Sequence, residues 1–336
     1  MELNDCIKAF LPYENFEISD IDNGLINHTY KIETSDKKYI LQRINTSIFK
    51  QPEAIIENHL SINSVLEKSD YSYQLLKLVP KKSGEFLFDD KEGNKWRMTE
   101  FLDESITFLK VPSSEIAFKA AKCFSEFYAK SNTQKIELRE TLPGFINFKK
   151  RTDDFLDAIE SGSKSRKQIA VQEIEFLKSQ IHLVDQWLEL EAQNLLPKRV
   201  IHADPKISNL LFDLQNEPLA VIDLDTLMNA TLLYDFGDMV RSYCNLTNED
   251  DDTNEDNFSK EIYEAVKKGF LLHLKSILSP TEIENLDYAA KVVVYIQAVR
   301  FLTDFLNGDV YYSVKWENHN LHRTRNQMYL LKSLLK

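Results

Sequence analysis

Between Val200 and Asp213 the chain reads VIHADPKISNLLFD, which sets a histidine, two aspartates, a lysine and an asparagine among residues of a buried-strand type. The polar positions fall as His202-x-Asp204-x-Lys206-x-x-Asn209. NLLFD, the turn-prone LQNEP and LAVIDLD follow one another, which predicts a β-hairpin. A hairpin symmetric about Asn216 sets Asn209 opposite Asp223. Two oxygen-bearing side chains facing each other across a ladder suit a hard cation that keeps part of its water, Mg2+ rather than zinc. Asp204 lies in the loop entering the hairpin, where it can orient a hydroxyl and accept its proton. Lys206 adds a positive charge beside it. A carboxylate, a cation and metal ligands are the parts that phosphoryl transfer needs. Each residue alone has an ordinary explanation: His202 in a core, Lys206 solvated, Asp213 in a turn. The reading rests on all of them at this spacing.

The elements that must hold these residues differ between the two parts of the chain. From Phe16 to about Leu102 the pattern is strand-like. YKIETSDKKYILQRI predicts a hairpin around Ser35 and Asp36, and SGEFLFDDKEGNKWRMTEF another around DKEG, with PEAIIENHLSINSVLEK between them at helical spacing. After Leu102 the chain turns helical, beginning with SSEIAFKAAKCFSEFYAKS, whose Ile116, Ala120, Phe124, Phe127 and Tyr128 form one stripe behind serine caps. Residues 199–225 are the exception, two short strands in the helical part. TNEDDDTNEDN near residue 250 reads as a solvated acidic loop.

Composition narrows the partners. The 336 residues carry 41 Lys+Arg against 53 Asp+Glu, a net charge of -12, which disfavours nucleic acid or an anionic membrane as the main partner. Cys6, Cys123 and Cys244 are odd in number and widely spaced, which fits a reducing compartment. The N-terminus has no signal-peptide pattern, and the longest apolar run, VVVYIQAV, is too short to span a bilayer. The expectation is a cytoplasmic protein with a small-molecule partner, binding neither nucleic acid nor membrane.

The His202–Asn209 loop and its hairpin resemble the catalytic loop and metal-binding hairpin of the aminoglycoside phosphotransferase and choline kinase superfamily. NGLINHTYKI resembles that family's phosphate-covering strand-loop-strand and MTEFL its hinge. More narrowly, NGLIN, YILQRIN, IDLDTLM, DFGDMVR, RFLTDFLNGDVYY and HNLHRTR are similar to N-acetylhexosamine 1-kinases. The resemblance implies an α+β, bilobal, protein-kinase-like fold. Residues 1–102 would form a nucleotide-binding lobe with a small antiparallel sheet, ending in the hinge. Residues 103–336 would form a mostly helical lobe with the catalytic hairpin and the substrate site. It also implies Mg2+ and ATP, with Asp204 and Lys206 catalytic and Asn209 and Asp223 on the metal. Asp235-Phe236-Gly237 spells the protein-kinase metal motif, yet Asp223 follows Asp204 directly across the hairpin and is the preferred ligand.

For the nucleotide, the resemblance points to Gly24, Asn27 and Thr29 over the phosphates and to Glu100 and Leu102 beside the adenine. The family's basic residue on the next strand is displaced here: Gln42 fills its position and Arg43 follows. Period-2 geometry puts these two on opposite faces, with Arg43 the favoured phosphate contact. Glu53 or Glu57 is its expected helix partner. For the acceptor, Arg300 in an apolar helix needs either the carboxylate of Asp304 one turn on or a ligand. The resemblance favours Arg300, Tyr311 and Trp316 as sugar contacts, with Asp225 and Thr226 close by. The expected reaction is phosphorylation of the anomeric hydroxyl of an N-acetylhexosamine or related sugar. An amino alcohol or aminoglycoside is the alternative acceptor. A pseudokinase would lack Asp204 or Asp223, and a protein kinase would carry a GxGxxG loop and an APE segment.

Overall fold

A computed structural model describes residues 2–21 and 27–336. Their contacts form two compact units, one of Met1–Thr107, Glu126–Pro143 and Ser208–Asn229, the other of Phe108–Ser125, Gly144–Ile207 and Ala230–Lys336. The elements run α1 (Glu2–Phe10), β1 (Glu17–Asp20), β2 (His28–Glu33), β3 (Lys38–Ile44), α2 (Pro52–Leu66), β4 (Leu78–Val79), β5 (Phe88–Asp89), β6 (Lys95–Glu100) and β7 (Ser105–Ile106). Then follow α3 (Ser114–Ser131), α4 (Phe148–Ser161), α5 (Lys164–Ile169), α6 (Val171–Ser179), α7 (His182–Ala192), β8 (Arg199–Ile201), β9 (Leu210–Asp213), β10 (Pro218–Val221) and β11 (Met228–Ala230). The chain ends through α8 (Leu232–Tyr243), α9 (Lys260–Leu274), α10 (Pro280–Glu284), α11 (Leu286–Leu306) and α12 (His319–Leu335). The fold class is α+β, an antiparallel sheet with a helical C-terminal part, as the sequence leads one to expect.

The sheet of the first unit has the order β1-β2-β3-β6-β4, with β5 paired to β6. The turn expected at Ser35 and Asp36 is present, closed by the Thr34 amide on the Lys37 carbonyl at 2.9 Å. Alternation sends Tyr39 and Leu41 to one face, where they join Ile32, Trp96 and Met98 under Cys6, Ile7, Phe10 and Leu11. Helix α1 therefore supplies a third of this core, each large apolar side chain contributing roughly 1.5–3 kcal/mol. Gln42 lies on the opposite face, opposite Thr29 on β2 and Arg97 on β6. Helix α2 begins with Pro52, whose missing N–H costs nothing in the first turn. Its buried His59 and Asn63 both reach the Leu76 carbonyl, at 2.6 and 2.8 Å.

The predicted hairpin is present as β9 and β10, and β9 also pairs with β7. Asp213 holds the turn by accepting from the Gln215 and Glu217 amides, and Asn216 takes the left-handed conformation at φ 63°. The expected symmetry about Asn216 is off by one. The register shifts between Pro218 and Ala220, so that Val221 pairs with Leu210. The Ile222 amide, not Asp223, meets the Asn209 carbonyl, at 3.0 Å. Leu219 is the extra residue, and its carbonyl is taken by the Gln74 amide at 2.8 Å.

In the second unit α11 packs against α12, α8 and α4. A Cβ on Gly237 would lie 2.6 Å from a Val293 methyl and 2.7 Å from the Ala289 carbonyl, so this glycine sets the close approach of α8 to α11. The acidic segment near residue 250 is not simply solvated. Asp252 pairs with His322 at 3.0 Å and Arg325 at 3.5 Å, and the buried Asn326 amide donates to Thr247, Asn248 and Asp251. Polar side chains on α12 thus anchor that loop. Among the described residues no helix is long and apolar enough to cross a membrane.

Candidate active site

In the second unit β8 delivers the loop that starts at His202. Ala203 has φ 65°, a conformation that a residue with a Cβ adopts only when its surroundings impose it. The constraint comes from Asp235, fully buried in the first turn of α8. Its carboxylate accepts from the His202 amide at 2.8 Å and from the Ala203 amide at 3.0 and 3.2 Å. The aspartate of the literal DFG therefore braces the loop backbone. Asp204 follows directly, with Lys206 Nζ 2.7 Å from its carboxylate. Burial pushes the Asp204 carboxyl upward, but Lys206, with His202 and Arg241, outweighs it and holds the group below the usual aspartate range. Asp238 moves the other way: burial and the charge of Asp204 raise it, against the opposing pull of Arg241 at 2.7 Å. The two carboxyls are thus pushed apart, Asp204 toward the carboxylate form beside Lys206 and Asp238 toward higher pH.

The first unit holds the hairpin residues. Asn209 ends a short 3-10 turn and is 4% exposed. Asp223 follows β10 in the left-handed region, φ 59° and ψ 58°, and leads into a second 3-10 turn over Leu224–Thr226. That turn is pinned through Asp225. Its carboxylate takes Arg97 Nη1 on one oxygen and Asn27 Nδ2 on the other at 2.8 Å, and its carbonyl takes the Thr141 hydroxyl at 2.8 Å. Asn27 also accepts from the Asn45 amide at 3.0 Å. Asp225 and Thr226, expected near a sugar, are both buried, and Asp225 is committed to this network.

Arg97 is the residue that sequence reasoning missed. It sits in a strand buried from Trp96 to Thr99, and a charge inside such a run is the signal that marks it. Arg43, by contrast, shares the face of Tyr39 and Leu41. Neither expected helix partner pairs with it: Glu53 meets Lys95 at 3.3 Å and Glu57 meets Arg139 at 2.9 Å, both near the surface. Thr29 accepts from Gln42 at 3.2 Å. Gly24 lies outside the described residues. At the expected hinge the Glu100 amide is used by Lys77 and the Leu102 carbonyl by the Ser105 hydroxyl at 2.6 Å.

In the second unit Arg300 does not pair with Asp304. The Asp304 carboxylate instead caps the loop after α11, accepting from the amides of Val310, Tyr311 and Tyr312 at 2.8–2.9 Å and from Asn320 at 2.9 Å. Arg300 lies among Phe145, Tyr312 and Tyr311, with its guanidinium 5.5, 5.6 and 6.0 Å from the ring centres. Its Nη1 donates to the Gln297 side-chain oxygen at 3.1 Å. Arg300, Tyr311, Tyr312, Arg151 and Asp157 line a cleft of about 280 Å3. Trp316 stacks on His319, centroids 4.0 Å apart, and is not among the residues lining that cleft.

An aminopropanol kinase associated with a microcompartment aligns over 99% of this chain and 95% of its own, with a TM-score of 0.64 and 14% identity. A choline kinase from Streptococcus pneumoniae aligns over 98% of each chain, at 0.58 and 16%. A spectinomycin phosphotransferase solved with ADP and spectinomycin aligns over 98% and 93%, at 0.59 and 15%. At these identities the likeness is one of fold. The profile of the phosphotransferase enzyme family (APH) matches residues 17–267, about three quarters of the sequence. The chain belongs to the phosphotransferase enzyme family.

Proposed function

We propose that this phosphotransferase uses Mg-ATP to phosphorylate the anomeric hydroxyl of an N-acetylhexosamine or related sugar. Asp204, kept ionised beside Lys206, orients the acceptor hydroxyl and takes its proton. Lys206 stands by with a positive charge for the transferring group. Asn209 and Asp223 would hold Mg2+. Their donors are all oxygen, and among the described residues no cluster of three or more His, Cys, Asp or Glu forms a protein cage. That donor set fits a hard ion whose remaining positions go to water and phosphate oxygens. When bound, the ion neutralises charge developing on the phosphoryl oxygens.

The observation that carries the sugar reading is the Arg300 cage. Aromatic rings that would recognise a cationic amino alcohol surround the protein's own cation instead. A guanidinium in that position offers donors to a neutral carbonyl or hydroxyl and repels an ammonium group. Asp304 and Asp154 are occupied, by loop amides and by Lys150. Asp157 in the same cleft supports the second reading, an amino alcohol or aminoglycoside, as do neighbours with choline and aminopropanol kinase names. Coupled nucleotide release with hexosamines, neutral hexoses, amino alcohols and aminoglycosides separates the two. The expected result is the highest kcat/KM with an N-acetylhexosamine, and turnover confined to amines would replace this reading by the second.

A further inference from the structure

Gln42 and Arg43 project to opposite faces of β3, and the side chains around Gln42 determine what it can bind. Arg97 offers donors only. Its Nε and Nη2 both reach Gln42 Oε1, at 3.0 and 2.8 Å. This settles the amide orientation on chemical grounds: the oxygen must face Arg97 and the nitrogen must face away. One amide N–H goes to the Thr29 hydroxyl at 3.2 Å, and the other meets no partner among the described residues. The charge of Arg97 is balanced by Asp225, the two side chains being 5% and 1% exposed. Gln42 itself is partly exposed. A fixed, neutral N–H donor beside a hydroxyl selects a ligand rich in acceptors, and in a phosphotransferase the phosphoryl oxygens of the nucleotide are that ligand.

We propose that Gln42 donates its amide N–H to a phosphate of the bound nucleotide, and that Arg97 is the positioning residue that fixes this orientation. The proposal rests on the nucleotide reading above and is independent of the acceptor. Calorimetric titration of ADP with Mg2+ tests it without any acceptor present. Gln42→Met is expected to weaken ADP about 10-fold or more, the loss of one hydrogen bond to a charged oxygen. Arg43→Met should change it less than about 2-fold. Arg97→Lys keeps a charge beside Asp225 but lacks the two-pronged grip, so it should weaken ADP to a similar degree. The Gln42→Met/Arg97→Lys double variant should then be no weaker than Gln42→Met, a non-additivity that a merely structural role would not produce. If Arg97→Lys does not fold, Gln42→Glu takes its place. That side chain accepts both prongs of Arg97 yet has no N–H, and a loss of about 10-fold or more is expected. Wild-type affinity in Gln42→Met or Gln42→Glu, additive losses in the double variant, or a larger effect from Arg43→Met overturns the proposal. Failure of the wild type to bind ADP removes the nucleotide reading along with it.

Discussion

Replacing Asp235 by alanine separates a brace from a metal ligand. In the structure both Asp235 oxygens are buried against the amides of His202 and Ala203. Alanine leaves those two N–H groups without that acceptor, at about 1–3 kcal/mol each. The sum, roughly 2–6 kcal/mol, is a large share of the 5–15 kcal/mol typical of a folded domain. The strained Ala203 backbone also loses its restraint. Urea unfolding is therefore expected to show a loss of about 2–6 kcal/mol for Asp235→Ala. Protein that remains folded should still bind ADP in a Mg2+-dependent way. Asp223→Asn should do the opposite: asparagine tolerates the left-handed backbone, so stability changes by less than about 1 kcal/mol while Mg2+-dependent ADP binding is lost. An Asp235→Ala protein of normal stability that no longer responds to Mg2+, beside an Asp223→Asn protein that does, would refute the reasoning and return the metal to the DFG aspartate.

Three further outcomes follow from the same geometry. Asp204→Asn should lower kcat about 100-fold or more with ADP affinity little changed, and near-normal kcat would remove Asp204 from the mechanism. In Lys206→Met the burial of Asp204 loses its largest offset, so its pKa rises and the acid limb of kcat/KM should move to higher pH; an unmoved limb contradicts the pairing. Arg300→Lys should reduce kcat/KM for sugar about 5- to 150-fold, equivalent to hydrogen bonds of about 1–3 kcal/mol, with ATP parameters nearly constant. A pure stability effect would mean that Arg300 only packs.

Burial gives a fourth outcome, in stability against pH. Burial, helped by the charge of Arg97, lowers His59 to about 4, against 6.5 for a free histidine. Between those values the unfolded chain takes up a proton that the folded one does not. Stability should therefore be full above pH 6.5 and fall as the pH drops toward 4, by roughly 3 kcal/mol from this group. His59→Gln should flatten that part of the denaturation profile, and an unchanged slope would show that other groups cause it.

Much of the fold was legible because alternation and helical spacing report burial directly. The β2–β3 hairpin, α2 and the apolar stripe of α3 all follow from such patterns. What escaped depends on partners distant in sequence or on single backbone events. The bulge at Leu219 has no residue signature, and it moves Asn209 from Asp223 to Ile222. Arg97 finds Asp225 across 128 positions, a pairing that no local pattern encodes. Arg300 and Asp304 have the spacing of a helical ion pair, yet three loop amides at the end of α11 compete for the same carboxylate and win. Three amides converge on that one carboxylate, whereas a guanidinium can rest on aromatic rings. In the candidate site, residue types and order were readable in His202–Asn209. The strained backbone at Ala203 and Asp223 was not, because only the surrounding contacts impose it.

The identity of the phosphorylated atom is decided most directly by phosphorus NMR of the reaction with Mg2+, ATP and an N-acetylhexosamine. A new phosphomonoester resonance coupled to the anomeric proton is expected, absent with Asp204→Asn. A product coupled instead to the methylene protons of an amino alcohol, with the hexosamine left unreacted, would contradict the sugar reading while leaving the phosphotransferase intact.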